Sequence, residues 1–141
     1  MKNLAVCAWM TIAAVLLGGC DSEHTSSAPS GNPTNPTPSP SSGSAALTWE
    51  KPNQNADGNC LTEVSGYQMY RGPADGNYTH NETINAVSCS NSGASNDCGA
   101  IQTCTHTVTN LPSGTWYFSL QAIDANGDPS GYSNVASIVV P

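Results

Sequence analysis

The chain has 141 residues, in which ten acidic side chains stand against three of lysine and arginine, giving a formal net charge of −7. This balance argues against a nucleic-acid ligand and against electrostatic binding to anionic lipid, because a negative surface repels both. The length allows one small domain besides any targeting segment.

The first residues have the features of an export signal. Lys2 supplies a positive start, and 14 residues without a charge follow it, from Leu4 to Leu17. This run is shorter than the roughly 20 apolar residues that span a membrane, and small residues follow it, as at a cleavage site. We expect a signal peptide over residues 1–19.

The residues that end this segment, "LGGC" from Leu17 to Cys20, resemble the lipobox of bacterial lipoproteins. The resemblance implies that the peptide is cut before Cys20 and that acyl chains on Cys20 anchor the protein in a membrane of the bacterial cell envelope. Asp21 resembles the signal that retains lipoproteins in the inner membrane of enteric-type bacteria. Other lineages differ, so the inner and the outer membrane both stay open. The alternative is a plain signal peptide with an unrelated cysteine.

The segment after the cut has the composition of a tether. Nearly every residue from Asp21 to Ser44 is Ser, Thr, Pro, Gly, Asn or Ala, without apolar periodicity. Such a segment cannot bury a core. We therefore expect a lipidated, disordered linker over residues 20–44 and one folded domain over residues 45–141.

The expected mature chain carries Lys51 and Arg71 against ten acids, a net charge of about −8. Its cysteines, apart from the lipid-bearing one, are four in number. An even number in an exported chain predicts two disulfides. A zinc site is the alternative, but it lacks a C-x-x-C pair. The four cysteines expected to form the disulfides are Cys60, Cys89, Cys98 and Cys104.

Short alternations of apolar and polar residues recur between turn signals in the domain, and no segment carries a helical stripe. They predict six short strands and an antiparallel all-β sandwich. In chain order the segments are "ALTWE", "VSGYQMYRG", the weaker "NYTHNETINAV", "CTHTVTNL", "TWYFSLQAID" and "SNVASIVV".

Four stretches of the domain, "LTWEKP", "VSGYQMYRG", "VTNLPSGTWYF" and "LQAIDANGDPSGYSN", resemble a fibronectin type III domain. The resemblance implies an immunoglobulin-like sandwich that serves for spacing, adhesion or binding. Strand A is missing or degenerate, which would leave the strand of "ALTWE" at an open edge. Either Trp116 or Tyr117 fits the family's corner position. The alternation with Phe118 and Leu120 favours Trp116 inside, where its indole N–H needs an acceptor.

The family's topology gathers the four cysteines at one end of the sandwich. It implies Cys60–Cys104, joining neighbouring strands, and Cys89–Cys98, closing the loop "SNSGASND". Four cysteines allow three connectivities, so this pairing is one of three.

Nothing in the sequence predicts catalysis, and we expect neither an enzyme nor a cofactor. His106 takes an inward position, which favours a satisfied core histidine. "NQNADG" and "DANGD" have the oxygen ligands of a weak calcium loop, but Asn/Asp/Gly turns explain both. We therefore expect no metal.

Three tyrosines form the predicted binding face. Tyr70 and Tyr117 point outward on neighbouring antiparallel strands, and Tyr78 opens the next strand at the same end. Such faces anchor protein partners or stack on sugars; the alternative is a cross-strand pair that only stabilises the sheet. We expect a binding, adhesion or spacing module with a protein partner, or alternatively a carbohydrate-binding accessory, with no nucleic-acid ligand.

Overall fold

The computed structural model describes residues 10–13, 42–85 and 87–141, and these residues form strands and loops without a helix. Every paired strand is antiparallel to its neighbours. The strands are β1 (Met10–Ala13), β2 (Ser42–Glu50), β3 (Val64–Gly72), β4 (His80–Ile84), β5 (Ser88–Asn96), β6 (Gly99–Pro112), β7 (Gly114–Asp124) and β8 (Ala136–Val140).

The strands form two four-stranded sheets, ordered β1-β2-β6-β5 and β4-β3-β7-β8. Apolar residues from both sheets make one buried core, so the domain is an antiparallel all-β sandwich, as the sequence predicted. Alternate residues of β2, β3, β7 and β8 face this core because side chains in a strand point to opposite faces in turn. The largest buried side chains are those of Trp49, Phe118, Leu47, Met69 and Leu111.

An aromatic contact joins the two sheets in the core. The rings of Trp49 on β2 and Tyr67 on β3 meet edge to face, with centroids 5.0 Å apart. Burial raises the pKa of the Tyr67 hydroxyl, against a smaller opposing effect of the Trp49 indole. Such pairs stabilise a core by about 0.5–1.5 kcal/mol beyond the area that they bury.

The outer edge of β2 is paired, whereas the sequence predicted that strand A would be missing or degenerate and this edge open. Met10–Ala13 runs antiparallel to β2, with Met10 opposite Trp49 and Ala13 opposite Ala46. The strand that covers this edge comes from the segment in which we expect a signal peptide. β2 itself begins at Ser42, three residues before the predicted start of the domain.

The predicted loop "SNSGASND" is a strand for most of its length. β5 pairs with β6 from Ser88 opposite Thr105 to Asn96 opposite Gly99, with a register irregularity between Asn91 and Ser95. All nine residues of β5 are exposed and none is a large apolar residue, so it lacks the apolar alternation from which a strand is predicted.

This hairpin changes the disulfide pairing. All four cysteines are in disulfides, but the predicted pairs Cys60–Cys104 and Cys89–Cys98 are wrong: the structure has Cys60–Cys98 and Cys89–Cys104. Cys89 lies directly across the ladder from Cys104, with 4.0 Å between their Cα atoms. Because Cys104 is the residue directly opposite Cys89 on the neighbouring strand, the two sulfur atoms can bond without movement of the backbone. Cys98, beside the hairpin turn, then pairs with Cys60.

Candidate functional site

Three tyrosine rings meet on the outer side of the sheet β4-β3-β7-β8. They are Tyr70 on β3, Tyr78 in the turn before β4, and Tyr132 between β7 and β8. The Tyr70 and Tyr132 centroids lie 5.1 Å apart in an edge contact, those of Tyr70 and Tyr78 6.1 Å apart, and those of Tyr78 and Tyr132 6.5 Å apart in a stacked arrangement. We call these three residues the tyrosine cluster.

A hydrogen-bonded chain fixes the central ring of the cluster. The Tyr70 hydroxyl donates to the side-chain oxygen of Gln121 at 2.8 Å, and the Gln121 amide donates to the carbonyl of Ser130 at 2.7 Å. Because β7 carries Gln121 and the following segment carries Ser130, this chain joins β3, β7 and the segment that bears Tyr132.

The segment 129–135 runs beside β7 and holds Tyr132 through its serines. The amides of Ser130 and Ser133 donate to the carbonyls of Ala122 and Leu120. In return, the Ser130 and Ser133 hydroxyls accept the amide hydrogens of Ala122 and Leu120 at 2.8 and 2.9 Å. Side chains thus replace part of a regular ladder, and the turn geometry brings Tyr132 over Tyr70.

The cluster combines exposure with order. Tyr132 is 56% exposed, while Tyr70 and Tyr78 are half-buried. Partial burial raises the pKa of the Tyr70 hydroxyl, and the neighbouring Tyr132 hydroxyl raises it further. An ordered aromatic surface loses little conformational entropy when a partner covers it.

The structure brings together two of the three tyrosines expected in the binding face. Tyr117 is half-buried opposite Gly72, and no contact of its ring with another aromatic ring is found among the described residues. Tyr132 takes its place. Residue patterns do not identify Tyr132, because "PSGYSN" lacks the alternation of a strand. The one sign in the sequence that Tyr132 could lie near β7 is its position ten residues after Ala122, beyond a tight turn.

A second aromatic group lies near the start of β7. Trp116 is half-buried and packs against the core, on the same side of β7 as Phe118. Its indole N–H donates to the carbonyl of Pro112 at 2.9 Å, which supplies the acceptor that a partly buried indole needs. The Arg71 guanidinium carbon and the His80 ring centre each lie 6.0 Å from the Trp116 ring.

His106 lies half-buried on the inward side of β6. Its Nε2 is 3.6 Å from a carboxylate oxygen of Glu82 on β4. The contact links β6 of one sheet to β4, an edge strand of the other, and a structural role is sufficient to account for this histidine.

The disulfide end of the domain contains a polar cleft of about 260 Å³, lined by Asn55 of "NQNADG", by Asp124 and Asp128 of "DANGD" and by Glu63, among other residues. One carboxylate oxygen of Asp124 accepts hydrogen bonds from the backbone amides of Asn126 and Asp128, at 2.8 and 2.9 Å. Among the described residues, no group of three or more His, Cys, Asp or Glu is placed to hold a metal ion.

The predicted lipidation residue Cys20 and the predicted sorting residue Asp21 lie outside the described residues. Within the described ranges, no helix has the length and apolar character needed to cross a membrane.

No family model and no curated protein matches the chain. Among solved structures, the chain is similar to astrotactin-2, described as a conserved vertebrate-specific and perforin-like membrane protein involved in neuronal development, with 20% identity and a TM-score of 0.41. The match covers 75% of this chain and 20% of the other, so this chain spans about a fifth of the length of that structure. A similarity of this size supports no conclusion about function.

Proposed function

We propose that this protein is an envelope-anchored bacterial lipoprotein whose sandwich domain binds a protein partner through the tyrosine cluster. The observation that carries the binding role is the ordered and partly exposed set of Tyr70, Tyr78 and Tyr132, with centroids 5.1–6.5 Å apart. Tyrosines in such an arrangement are enriched among the residues that dominate binding energy at protein interfaces.

The family that we propose for the domain is fibronectin type III. The motifs "LTWEKP" and "VSGYQMYRG" support it, and so does a sandwich in which the chain crosses from one antiparallel sheet to the other after each pair of strands. A domain of this kind has no catalytic role of its own, which agrees with a binding or spacing module.

The proposed anchor rests on the lipobox-like "LGGC" and on the tether that follows it. Two or three acyl chains on Cys20 would hold the protein firmly, at about 0.8 kcal/mol per buried CH₂. The Pro- and Ser-rich residues 21–41 would then hold the domain away from the membrane, where a partner can reach the tyrosine cluster.

Photocrosslinking in the native envelope tests the binding role. A benzoylphenylalanine placed at position 132 should capture a defined protein, whereas the same group at position 117 should not. Adding Tyr70→Ala should weaken capture from position 132 about tenfold, because the loss of an aromatic anchor typically costs 1–2 kcal/mol or more. Equal capture from both positions, or capture indifferent to Tyr70→Ala, would rule out the cluster as the binding surface.

The carbohydrate alternative rests on the exposed ring of Tyr132, since sugars stack on open aromatic faces. Titration of envelope oligosaccharides against the domain distinguishes the two. A sugar that prevents crosslinking and loses affinity on Tyr132→Ala favours a glycan ligand, whereas capture that no sugar affects favours a protein.

A further inference from the structure

The edge strand β1 covers the edge of β2 that faces away from β6. Its four residues pair with Ala46–Trp49 in an unbroken antiparallel register. On the other side, the same stretch of β2 pairs without irregularity with β6, from Ala46 opposite Thr107 to Glu50 opposite Thr103. β2 is therefore a regular strand with neighbours on both sides.

Removal of the signal peptide would take one of these neighbours away. Met10–Ala13 lies within residues 1–19, so cleavage before Cys20, which is part of the proposed function, removes β1 from the mature chain. The edge-facing N–H and C=O groups of Ala46–Trp49 then lose their partners, and an extended segment can pair with them.

The exposed edge of β2 would lack the features that usually protect an edge strand. The stretch Ala46–Trp49 contains no charge and no proline, and its side chains outside the core, Ala46 and Thr48, are small. β8 is also an edge strand without charge, but among the described strands it pairs with β7 alone, so cleavage takes no ladder partner from it. The other two edges differ. β4 carries His80 and Glu82, and β5 has no large apolar residue and an irregular register. Charges and irregularities of this kind discourage strand addition.

We infer that the mature domain binds, by strand addition along Ala46–Trp49 of β2, an uncharged extended segment of another protein. The chemistry of this ligand follows from the segment that occupies the edge in the structure, the uncharged sequence "MTIA" of residues 10–13. A second copy is the less favourable partner, because two mature chains of charge about −8 repel each other.

Hydrogen exchange tests this with two forms of the full chain, both with Cys20→Ser and intact disulfides: the mature form from position 20, and the uncleaved form from Met1. The probe is a synthetic peptide of residues 8–15, "AWMTIAAV", with two added lysines. The edge-facing amides among Ala46–Trp49 should exchange at least tenfold faster in the mature form than in the uncleaved form. Addition of the peptide should restore their protection. A peptide with proline in place of both Thr11 and Ile12 should have no effect, because successive N–H groups of a strand point to opposite sides, so one of the two faces β2, and proline cannot donate to the ladder.

Three results would overturn the inference: no protection at saturating peptide, protection already complete in the mature chain alone, or protection that appears without peptide as the chain concentration rises. The second result would mean that another part of the chain covers the edge, and the third would identify a second copy as the partner. The mature form is produced directly for this experiment, so its outcome does not depend on cleavage. The mass of the native protein tests the proposed lipoprotein separately.

Discussion

Gly72, at the end of β3, occupies a position that a side chain cannot share. A Cβ at this residue would overlap the backbone carbonyl of Asn77 and lie 2.8 Å from the Cα of Tyr78. Backbone atoms of a tight turn cannot move aside as the end of a flexible side chain can. Gly72→Ala should therefore destabilise the domain by about 1–3 kcal/mol, measured by urea unfolding.

The matched control for this substitution is Gly131→Ala. No atom lies within 4 Å of a Cβ built at Gly131, and its backbone does not have a positive φ. It should change stability by less than about 0.5 kcal/mol. Equal effects of the two substitutions would show that the turn before β4 is not as tight as described.

Asp124 makes the stability of the turn after β7 depend on pH. Hydrogen bonds from the Asp128 amide, and then from those of Asn126 and Gly127, lower the pKa of its exposed carboxyl below the ordinary 3.8. Because the folded-state pKa is depressed, this stabilisation is present above the ordinary pKa and is lost as the pH falls through the lower value. In a plot of the urea midpoint against pH, Asp124→Asn should flatten the fall of the midpoint at acid pH. Identical acid limbs in the parent and in Asp124→Asn would contradict the assignment.

The tyrosine cluster shows what residue patterns can and cannot predict. Alternation along β3 and β7 correctly places Met69 and Phe118 in the core, because burial of one face fixes the strand's orientation. It cannot give the neighbours of an outward side chain across space. Tyr132 reaches Tyr70 through serine side chains that replace a regular ladder, and no period in the sequence reports that arrangement.

At the scale of elements, strands with an apolar face are the predictable ones. β3 and β7 pair over most of their length and carry that face, whereas β5 carries no large apolar residue and is exposed throughout. β5 is held by its ladder to β6 and by the Cys89–Cys104 bridge. Its strand conformation thus depends on long-range partners that local propensity does not contain.

The pairing of the four cysteines can be tested by peptide mapping. Peptide mapping without reduction should recover the links Cys60–Cys98 and Cys89–Cys104, with no free thiol in the domain. The Cys60→Ala, Cys98→Ala variant should lose about 2–5 kcal/mol of stability, since that bridge closes the larger loop, with a sequence separation of 38.

The bridge Cys60–Cys98 has support that the variant leaves in place. Asn53 and Asn96 exchange side-chain hydrogen bonds of 2.8 and 2.9 Å between the same two loops. The variant should therefore keep its fold at low temperature and show a lower urea midpoint. A map that links Cys60 to Cys104 or to Cys89 would contradict the hairpin register of β5 and β6.

On the scale of the whole molecule, the proposed lipid anchor decides which surfaces are available. Mass measurement of the native protein should show a chain that begins at Cys20 and carries acyl groups, because a lipobox, which "LGGC" resembles, directs cleavage and acylation together. Cys20→Ser should leave the protein without acyl groups and abolish its extraction into detergent. A native protein that begins at another residue, or extraction into detergent that Cys20→Ser does not change, would contradict the proposed anchor.

Asp21, the residue after the proposed lipid cysteine, is the proposed signal for the membrane in which the domain works. If Asp21 retains the lipoprotein, Asp21→Ser expressed in an enteric-type host should move the protein from inner-membrane to outer-membrane fractions of a sucrose gradient. Glu23→Ser is the matched control, since it removes the same charge two residues farther along the tether. A shift with both substitutions would point to tether charge in place of a positional signal, and a shift with neither would remove Asp21 from sorting. The partner of the tyrosine cluster must be reachable from the membrane so identified, because a tether of residues 21–41, even fully extended, spans only about 70 Å.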